Sequence, residues 1–313
     1  MTLQDRRIPL RPGATASENP WLRRILLANV VVEVLIVVTG GLVRLTGSGL
    51  GCPSWPQCVP GSYVPVPHQE QGFHKYIEFG NRTLTGLVGF VALAALLAVW
   101  QWTDRRRALV LPAALVLIGV AVQAILGGIT VRTGLHPATV AAHFLVSMGL
   151  VAAAMAAYVE SGLPPGSRRA AVPPLVARTA WATTAVGGLV LLLGTLVTGS
   201  GPHSGDAEQP ARFGFDPRSV SWLHADSVML FAGLVVAMVV ATRLRGAAAV
   251  QSAWTAVLYV VIAQGVVGYT QYFTDLPILL VLVHMLLASI LVVTLTNGLV
   301  HLREPTGSAT RDG

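Results

Sequence analysis

Long apolar stretches alternate with short polar segments along the chain of 313 residues. A membrane-spanning helix needs about 20 predominantly apolar residues, and eight stretches reach roughly that length. The pattern therefore predicts eight transmembrane helices. The predicted spans are Leu22–Val43, Tyr76–Trp100, Ala108–Thr130, Thr139–Val159, Val176–Thr198, Ser221–Thr242, Ala253–Tyr272 and Ile278–Val300.

The composition supports the same fold class. Hydrophobic residues make up 53% of the chain and charged residues 11%, whereas soluble domains carry about 25% charged residues. These proportions exclude an ordinary soluble domain, and we predict an all-α integral membrane protein.

The formal charge of +7 follows the predicted membrane topology. Arginines cluster before the first span, in alternate loops and after the last span, which is the positive-inside pattern. This pattern places both termini in the cytoplasm and the loops 44–75 and 199–220 outside, and it gives no reason to expect nucleic-acid binding. Residues 1–21 are predicted to be a disordered cytoplasmic tail. Lys75 is the only lysine, a bias typical of GC-rich bacteria, so we predict a bacterial plasma-membrane protein.

An internal repeat aligns Gln123–His143 with Gln264–His284 without a gap, at a constant offset of 141 residues. Glutamine, glycine, leucine and the final histidine coincide. Parallel repeats in membrane proteins are related by an axis along the membrane normal, so we predict two pseudo-symmetric four-helix bundles. The predicted divisions after the tail are residues 22–160, a cytoplasmic linker at 161–175, residues 176–300 and a cytoplasmic tail at 301–313.

A polar cluster, HKYIEFGNRTLTG (residues 74–86), opens the second predicted span. Polar groups inside a bilayer are costly unless they meet a partner or a ligand, so Glu78 is the leading candidate for a functional residue. His74 and Lys75 are explained equally well as interfacial side chains that reach water. At helical spacing four side chains share one face: His74, Glu78, Asn81 and Arg82.

Three histidines lie at matched depth near the outer ends of even-numbered spans: His143, His224 and His284. A lone histidine in a membrane helix is usually a packing residue or part of a proton path, and both remain alternatives. Three at one depth, two of them related by the repeat, favour metal ligation. Haem held between bundle helices fits best, because no thiolate or dense carboxylate set lies nearby. The histidines without an assigned role are His68, His136, His203 and His301.

The two halves differ in the ligands they offer. His224 and His284 would supply two axial ligands to a haem in the C-terminal half. In the N-terminal half, His143 would face Asn81, with Glu78 one turn away. The C-terminal site therefore suits electron storage or transfer, and the N-terminal site suits a catalytic reaction.

Cys52 and Cys58 lie together in the first outward loop, within CPSWPQC. Thiols outside the cytoplasm tend to oxidise, and the short gap between these two allows a ring to close. We therefore expect a disulfide, with free or metal-binding thiols as the alternatives.

Taken together, these motifs resemble the haem A synthase family over residues 22–300. The resemblance rests on GGLVRLTGSGLGCPSWPQC, on IEFGNR and on the two glutamine-led segments that end at His143 and His284. It implies an oxidoreductase that converts a methyl group of haem O to the formyl group of haem A. It also implies haem b at His224 and His284, haem O in the N-terminal half, Glu78 as the functional carboxylate and Cys52–Cys58 as the outward disulfide.

The same resemblance implies a set of partners. These are haem O and haem A, membrane lipid, an external electron donor, haem O synthase and cytochrome c oxidase assembly factors. Arg44, Arg82 and Arg132 are candidates for binding haem propionates, or they are ordinary interfacial anchors.

Asn81 departs from the family pattern, which commonly has histidine at this position. An amide is a poor iron ligand, so we expect His143 alone to hold the substrate iron, with His74 as an alternative second ligand. The competing function is a di-haem membrane cytochrome b that passes electrons between the halves. A transporter with a midplane site fits less well, because the polar layer lies near one surface.

Overall fold

Eight long α-helices dominate the computed structural model, which describes residues 19–103, 107–206, 208 and 211–306. All eight helices are long and apolar enough to cross a membrane, which confirms the predicted fold class and number of spans. Each predicted boundary lies within about five residues of the observed one. In chain order, α1 to α8 are Pro20–Leu45, His74–Trp102, Arg107–Arg132, Pro137–Ser161, Pro174–Ser200, Pro217–Arg245, Ala248–Phe273 and Ile278–Val300.

Several helices begin earlier than their apolar stretches because polar caps precede them. Asn19, His136 and Asp216 each accept a hydrogen bond from a backbone N–H of the first helical turn, and a proline follows each one. A cap of this kind satisfies groups that have no partner inside the helix, and proline suits the first helical position. His136 therefore has a structural role.

The helices pack in a definite order. Helices α1 to α4 close a ring in which α1 and α3 each contact both α2 and α4, whereas α5 to α8 pack in chain order, with α5 also touching α8. Helix α8 further packs against α1 and α4, and α4 contacts α5. Helices α4 and α8 therefore lie at the centre. The division into two pseudo-symmetric bundles with cytoplasmic termini stays a prediction.

Apolar side chains fill both halves and the seam between them. Phe231 and Trp254 are fully buried in the cluster within α5 to α8. Val37, Met148 and Val292 join α1, α4 and α8. Large apolar side chains also cover the outer surface, where lipid is the solvent expected for helices of this kind.

Two short strands, which the hydrophobic pattern did not predict, tie the linker to the segment after α8. Strand β1 (Arg168–Ala170) pairs antiparallel with β2 (Arg303–Pro305). Ion pairs of Arg168 with Glu160 and of Arg169 with Glu304 flank them. Strands of three residues are too short for a two-residue periodicity to be recognised. The predicted tail at residues 1–21 lies outside the described residues up to position 18, and α1 already begins at Pro20.

The loops that follow α1 and α5 also meet each other. The amide of Gly49 donates to the Gly205 carbonyl at 2.9 Å, and Arg44 Nη2 donates to the Thr198 carbonyl at 2.6 Å. The second of the two TGSG segments, at residues 46–49 and 198–201, is thus hydrogen-bonded to an arginine that lies two residues before the first. From the first loop, the Trp55 indole lies directly against Gly128 of α3, where a Cβ atom would overlap the ring.

We expect Gly128→Ala to lower the thermal unfolding midpoint of the detergent-solubilised protein. Overpacking of this kind costs about 1–3 kcal/mol, because the new methyl group would displace the Trp55 ring. Gly149→Ala is the matched control: no atom lies within 4 Å of its Cβ position, and alanine favours a helix by about 1 kcal/mol. Equal midpoints for the two variants would contradict the packing argument.

Candidate functional site

The loop between α1 and α2, residues 46–73, folds back onto the start of α2. Cys52 and Cys58 form a disulfide with an S–S distance of 2.03 Å, and both are fully buried. The predicted disulfide is confirmed. Gly51 lies against the His74 carbonyl, and a Cβ atom there would collide with that backbone. Glycine at this position therefore allows the loop to approach the helix.

Glu78 and Arg82 hold this loop in place. Glu78 Oε2 accepts a hydrogen bond from the Cys52 amide at 2.6 Å, and Oε1 accepts from Arg82 Nε at 3.0 Å and Nη2 at 2.5 Å. Arg82 also donates to the carbonyls of Cys52, Ser54 and Gln57 at 2.7–3.2 Å. The Glu78 side chain is only 7% exposed. The expensive intramembrane charges thus pair with each other and with the loop backbone.

The predicted common face of α2 divides into separate contacts. Glu78 and Arg82 face the loop, but the Asn81 side chain faces α1, where its Oδ1 accepts a hydrogen bond from Thr39 Oγ1 at 2.8 Å. His74 Nδ1 lies 2.8 Å from Ser48 Oγ. Sequence spacing alone did not separate these directions.

Lys75 does not reach water, contrary to one reading of the sequence. Its side chain is buried, and Nζ donates to the carbonyls of Val66 and Pro67 at 2.6 and 3.1 Å. The loop therefore satisfies this cation as well. His203 and His301 likewise hydrogen-bond backbone carbonyls, which gives each a structural partner.

A glycine of the preceding helix lies against each of the three candidate histidines and against Asn81. A Cβ atom on Gly127, Gly194 or Gly268 would lie 3.5, 3.4 or 3.3 Å from Cε1 of the facing histidine, and one on Gly40 would lie 4.0 Å from Asn81 Nδ2. The four hairpins are therefore alike at this level, and Asn81 occupies the position that histidine has in the other three. The facing histidines are His143, His224 and His284, in that order.

The sequence repeat has a structural meaning at its matched glutamine, glycine, leucine and histidine positions. Gln123 Nε2 donates to the His143 carbonyl at 2.9 Å. In the amide orientation that suits its neighbours, Gln264 donates to the His284 carbonyl at 3.2 Å and to its Nδ1 at 3.0 Å. The matched glycines are those beside these two histidines. The matched leucines are Leu135 and Leu276, which have φ values of 56° and 58° in equivalent turns.

The histidine rings fit the axial coordination of a haem. Nδ1 of His143 is buried without a hydrogen-bond partner among the described residues, although buried polar atoms are normally paired. The three histidines are half-buried residues. Imidazole is a common iron ligand.

The donor set suits haem better than a bare metal ion. Within the described parts of the chain, no group of three or more histidine, cysteine, aspartate or glutamate side chains could hold an ion. A haem iron needs only axial ligands from the protein. His224 and His284 occupy equivalent positions on α6 and α8, each against a glycine of the preceding helix.

The three candidate arginines differ in their free donors. Arg82 uses Nε, Nη1 and Nη2 on Glu78 and the loop. Arg44 keeps a buried Nε without a partner among the described residues, and Arg132 donates to the Trp55 carbonyl at 3.3 Å. Propionate binding stays a prediction, and Arg44 and Arg132 are better placed for it than Arg82.

Comparison with known proteins identifies the family. The sequence profile of the cytochrome oxidase assembly protein family COX15-CtaA matches residues 23–296. The chain belongs to this family. Membership agrees with the resemblance seen in the loop, α2 and repeat motifs, and it makes the chain a multi-pass protein of the bacterial plasma membrane.

Bacterial relatives carry the name heme A synthase. The protein from Bacillus mycoides is 26% identical over 273 residues, covering 83% of this chain and 86% of its own length. Those from Alkalihalophilus pseudofirmus and Lysinibacillus sphaericus are each 33% identical over 138 and 131 residues, covering 42% of this chain in both cases. These two matches span 44% and 41% of the relatives, less than half of each.

Sequence reasoning missed the residues that support the site. The roles of Thr39, Ser48 and the glycines beside the histidines come from contacts with side chains of another segment. Two of these glycines, Gly127 and Gly268, are the matched glycine of the repeat. The signal was therefore present in the sequence, but its meaning depended on knowing which side chain each glycine faces.

We expect Gly268→Val to reduce the amount of low-spin haem that copurifies with the protein. The added side chain would push against His284 Cε1, 3.3 Å from the Cβ position, and move the ring from its position. Gly265→Val on the same helix is the matched control, because no atom lies within 4 Å of its Cβ position. Absorption spectra of both purified variants provide the measurement, and equal haem content would contradict this role of Gly268.

Proposed function

We propose that this protein is a haem A synthase of the bacterial plasma membrane. It oxidises the methyl group of haem O to a formyl group, and the haem A produced serves cytochrome c oxidase assembly. The main support is the presence of histidine against glycine at three equivalent hairpin positions, in a chain whose family match covers residues 23–296. The relatives named heme A synthase support the same reaction.

The two halves have different tasks in this proposal. His224 and His284 hold haem b, which supplies one-electron transfer when bound. His143 holds the substrate haem O in the N-terminal half, without a second histidine opposite it. The external electron donor, haem O synthase and the assembly factors of cytochrome c oxidase are the proposed protein partners, and membrane lipid surrounds the helices.

Glu78 acts at the outer end of the substrate site. Two successive hydroxylations, each of which inserts one oxygen atom from an external oxidant into a C–H bond, convert the methyl group to an alcohol and then to a gem-diol, which loses water to give the aldehyde. Oε1 accepts two hydrogen bonds from Arg82, whereas Oε2 accepts one from the Cys52 amide. Oε2 therefore has a lone pair left to take up a proton or to stabilise positive charge near the reacting carbon. Arg82 and the disulfide loop keep the carboxylate in position.

The first test is haem analysis of membranes from a host that makes haem O but no haem A. Expression of this protein should produce haem A or its alcohol intermediate, identified by chromatography and mass. A purified protein with two low-spin haem b groups and no new haem would instead favour the membrane cytochrome b. Asn81 opposes that alternative, because only the C-terminal half has two histidines at the glycine-backed positions.

Glu78→Gln should abolish most haem A formation, by about 100-fold or more if the carboxylate takes part in proton transfer. Glutamine keeps the shape and can still accept the Cys52 hydrogen bond, but it has no charge. Arg82→Gln is the matched control, since it breaks the same ion pair and leaves the carboxylate. If Arg82→Gln is as inactive as Glu78→Gln and both lose the folded loop, Glu78 serves only as an anchor for the loop.

A further inference from the structure

The side chain of Asn81 is shorter than the histidine side chain at the equivalent position of the other hairpins. In the other three hairpins it is Cε1 of the histidine that approaches the glycine of the neighbouring helix, and Nε2 lies one bond farther on. In Asn81 the terminal atom Nδ2 approaches Gly40 at 4.0 Å from the Cβ position. No atom of Asn81 lies beyond it. The side chain at position 81 therefore ends short of the place where a histidine would have its second ring nitrogen.

A hydroxyl group on α1 orients the amide of Asn81. Thr39 Oγ1 lies 2.8 Å from Asn81 Oδ1, compared with 3.2 Å from the carbonyl of Ile36. The shorter contact indicates that the hydroxyl donates to Oδ1, which leaves Nδ2 on the opposite side of the amide. Among the described residues Nδ2 makes no hydrogen bond, and the side chain is half-buried. Asn81 thus keeps two N–H donors for a ligand.

The internal repeat indicates what these donors face. In the C-terminal half, His224 and His284 each lie against a glycine of the preceding helix. Asn81 corresponds to His224 by its glycine contact, and His143 corresponds to His284 by sequence offset, glycine contact and glutamine partner. By this correspondence, we infer that Asn81 occupies the position opposite His143 in the N-terminal half.

We propose that Asn81, oriented by Thr39, donates a hydrogen bond to a small ligand bound opposite His143 on the haem iron of the N-terminal half. This inference rests on the proposed function for the presence of haem at that site. The ligand class is small hydrogen-bond acceptors, such as water or a diatomic gas, because an amide reaches less far than imidazole. The site is then open to ligands from solution, whereas the bis-histidine site is closed.

Carbon monoxide binding to the reduced protein, purified with both haems, tests the proposal. The wild-type protein should bind one carbon monoxide per chain, and Asn81→His should bind none because the new imidazole closes the site. Asn81→Leu keeps the size and removes the donors, so it should still bind the gas, release it about tenfold faster and show a higher C–O stretching frequency.

Thr39→Val and Thr85→Val separate orientation of the amide from general packing. Thr39→Val should shift the C–O frequency towards the value for Asn81→Leu. Within the part of the chain that the structure describes, Thr85 Oγ1 donates only to the backbone carbonyl of Asn81, at 3.3 Å, so Thr85→Val should match the wild type. An equal shift in both threonine variants would overturn the role of Thr39.

Two outcomes would overturn the proposal as a whole. One is a wild-type protein in which both haems are low-spin and neither binds carbon monoxide. The other is an Asn81→Leu variant with wild-type release rate and C–O frequency. Either result together with normal haem A formation rejects the role of Asn81 alone. The expected gas binding without any haem A formation supports Asn81 and rejects the proposed reaction.

Discussion

A polar side chain inside a membrane has no water to bind, so it must find a partner in the protein or in a ligand. At the start of α2 the partners are protein groups: Glu78 pairs with Arg82 and the Cys52 amide, and Lys75 pairs with loop carbonyls. These interactions require the disulfide loop to lie on the helix. The loop, the ion pair and the start of α2 therefore depend on one another for their polar partners.

The histidines show the opposite case. Their rings lie against glycines of neighbouring helices, and Nδ1 of His143 has no hydrogen-bond partner in the described structure. Glycine contributes little stability in a helix, and its value here is the space that it leaves for a ring. The arrangement is understandable if the remaining partner is a ligand, which is the physical basis for the proposed haem sites.

Much of the fold followed from the sequence, because apolar length alone defines a membrane helix. The matched Gln123–His143 and Gln264–His284 segments also predicted equivalent sites, and their glutamines, glycines and leucines all have equivalent structural roles. The contact of Asn81 with Thr39, the division of the α2 face and the pairing of β1 with β2 could not be predicted. Each depends on the distance between segments far apart in sequence, to which periodicity is insensitive.

A single difference, asparagine at position 81 in place of histidine, is enough to give two similar pairs of hairpins different functions. A haem iron with two imidazole ligands has no free coordination position and is held tightly. This arrangement suits a resident electron carrier. One imidazole with an amide opposite gives a weaker hold, which suits a substrate that must enter and leave. Because Asn81 keeps the glycine contact of the other hairpins, the helix packing need not change. The difference between cofactor and substrate sites would then arise from ligand chemistry on a common scaffold.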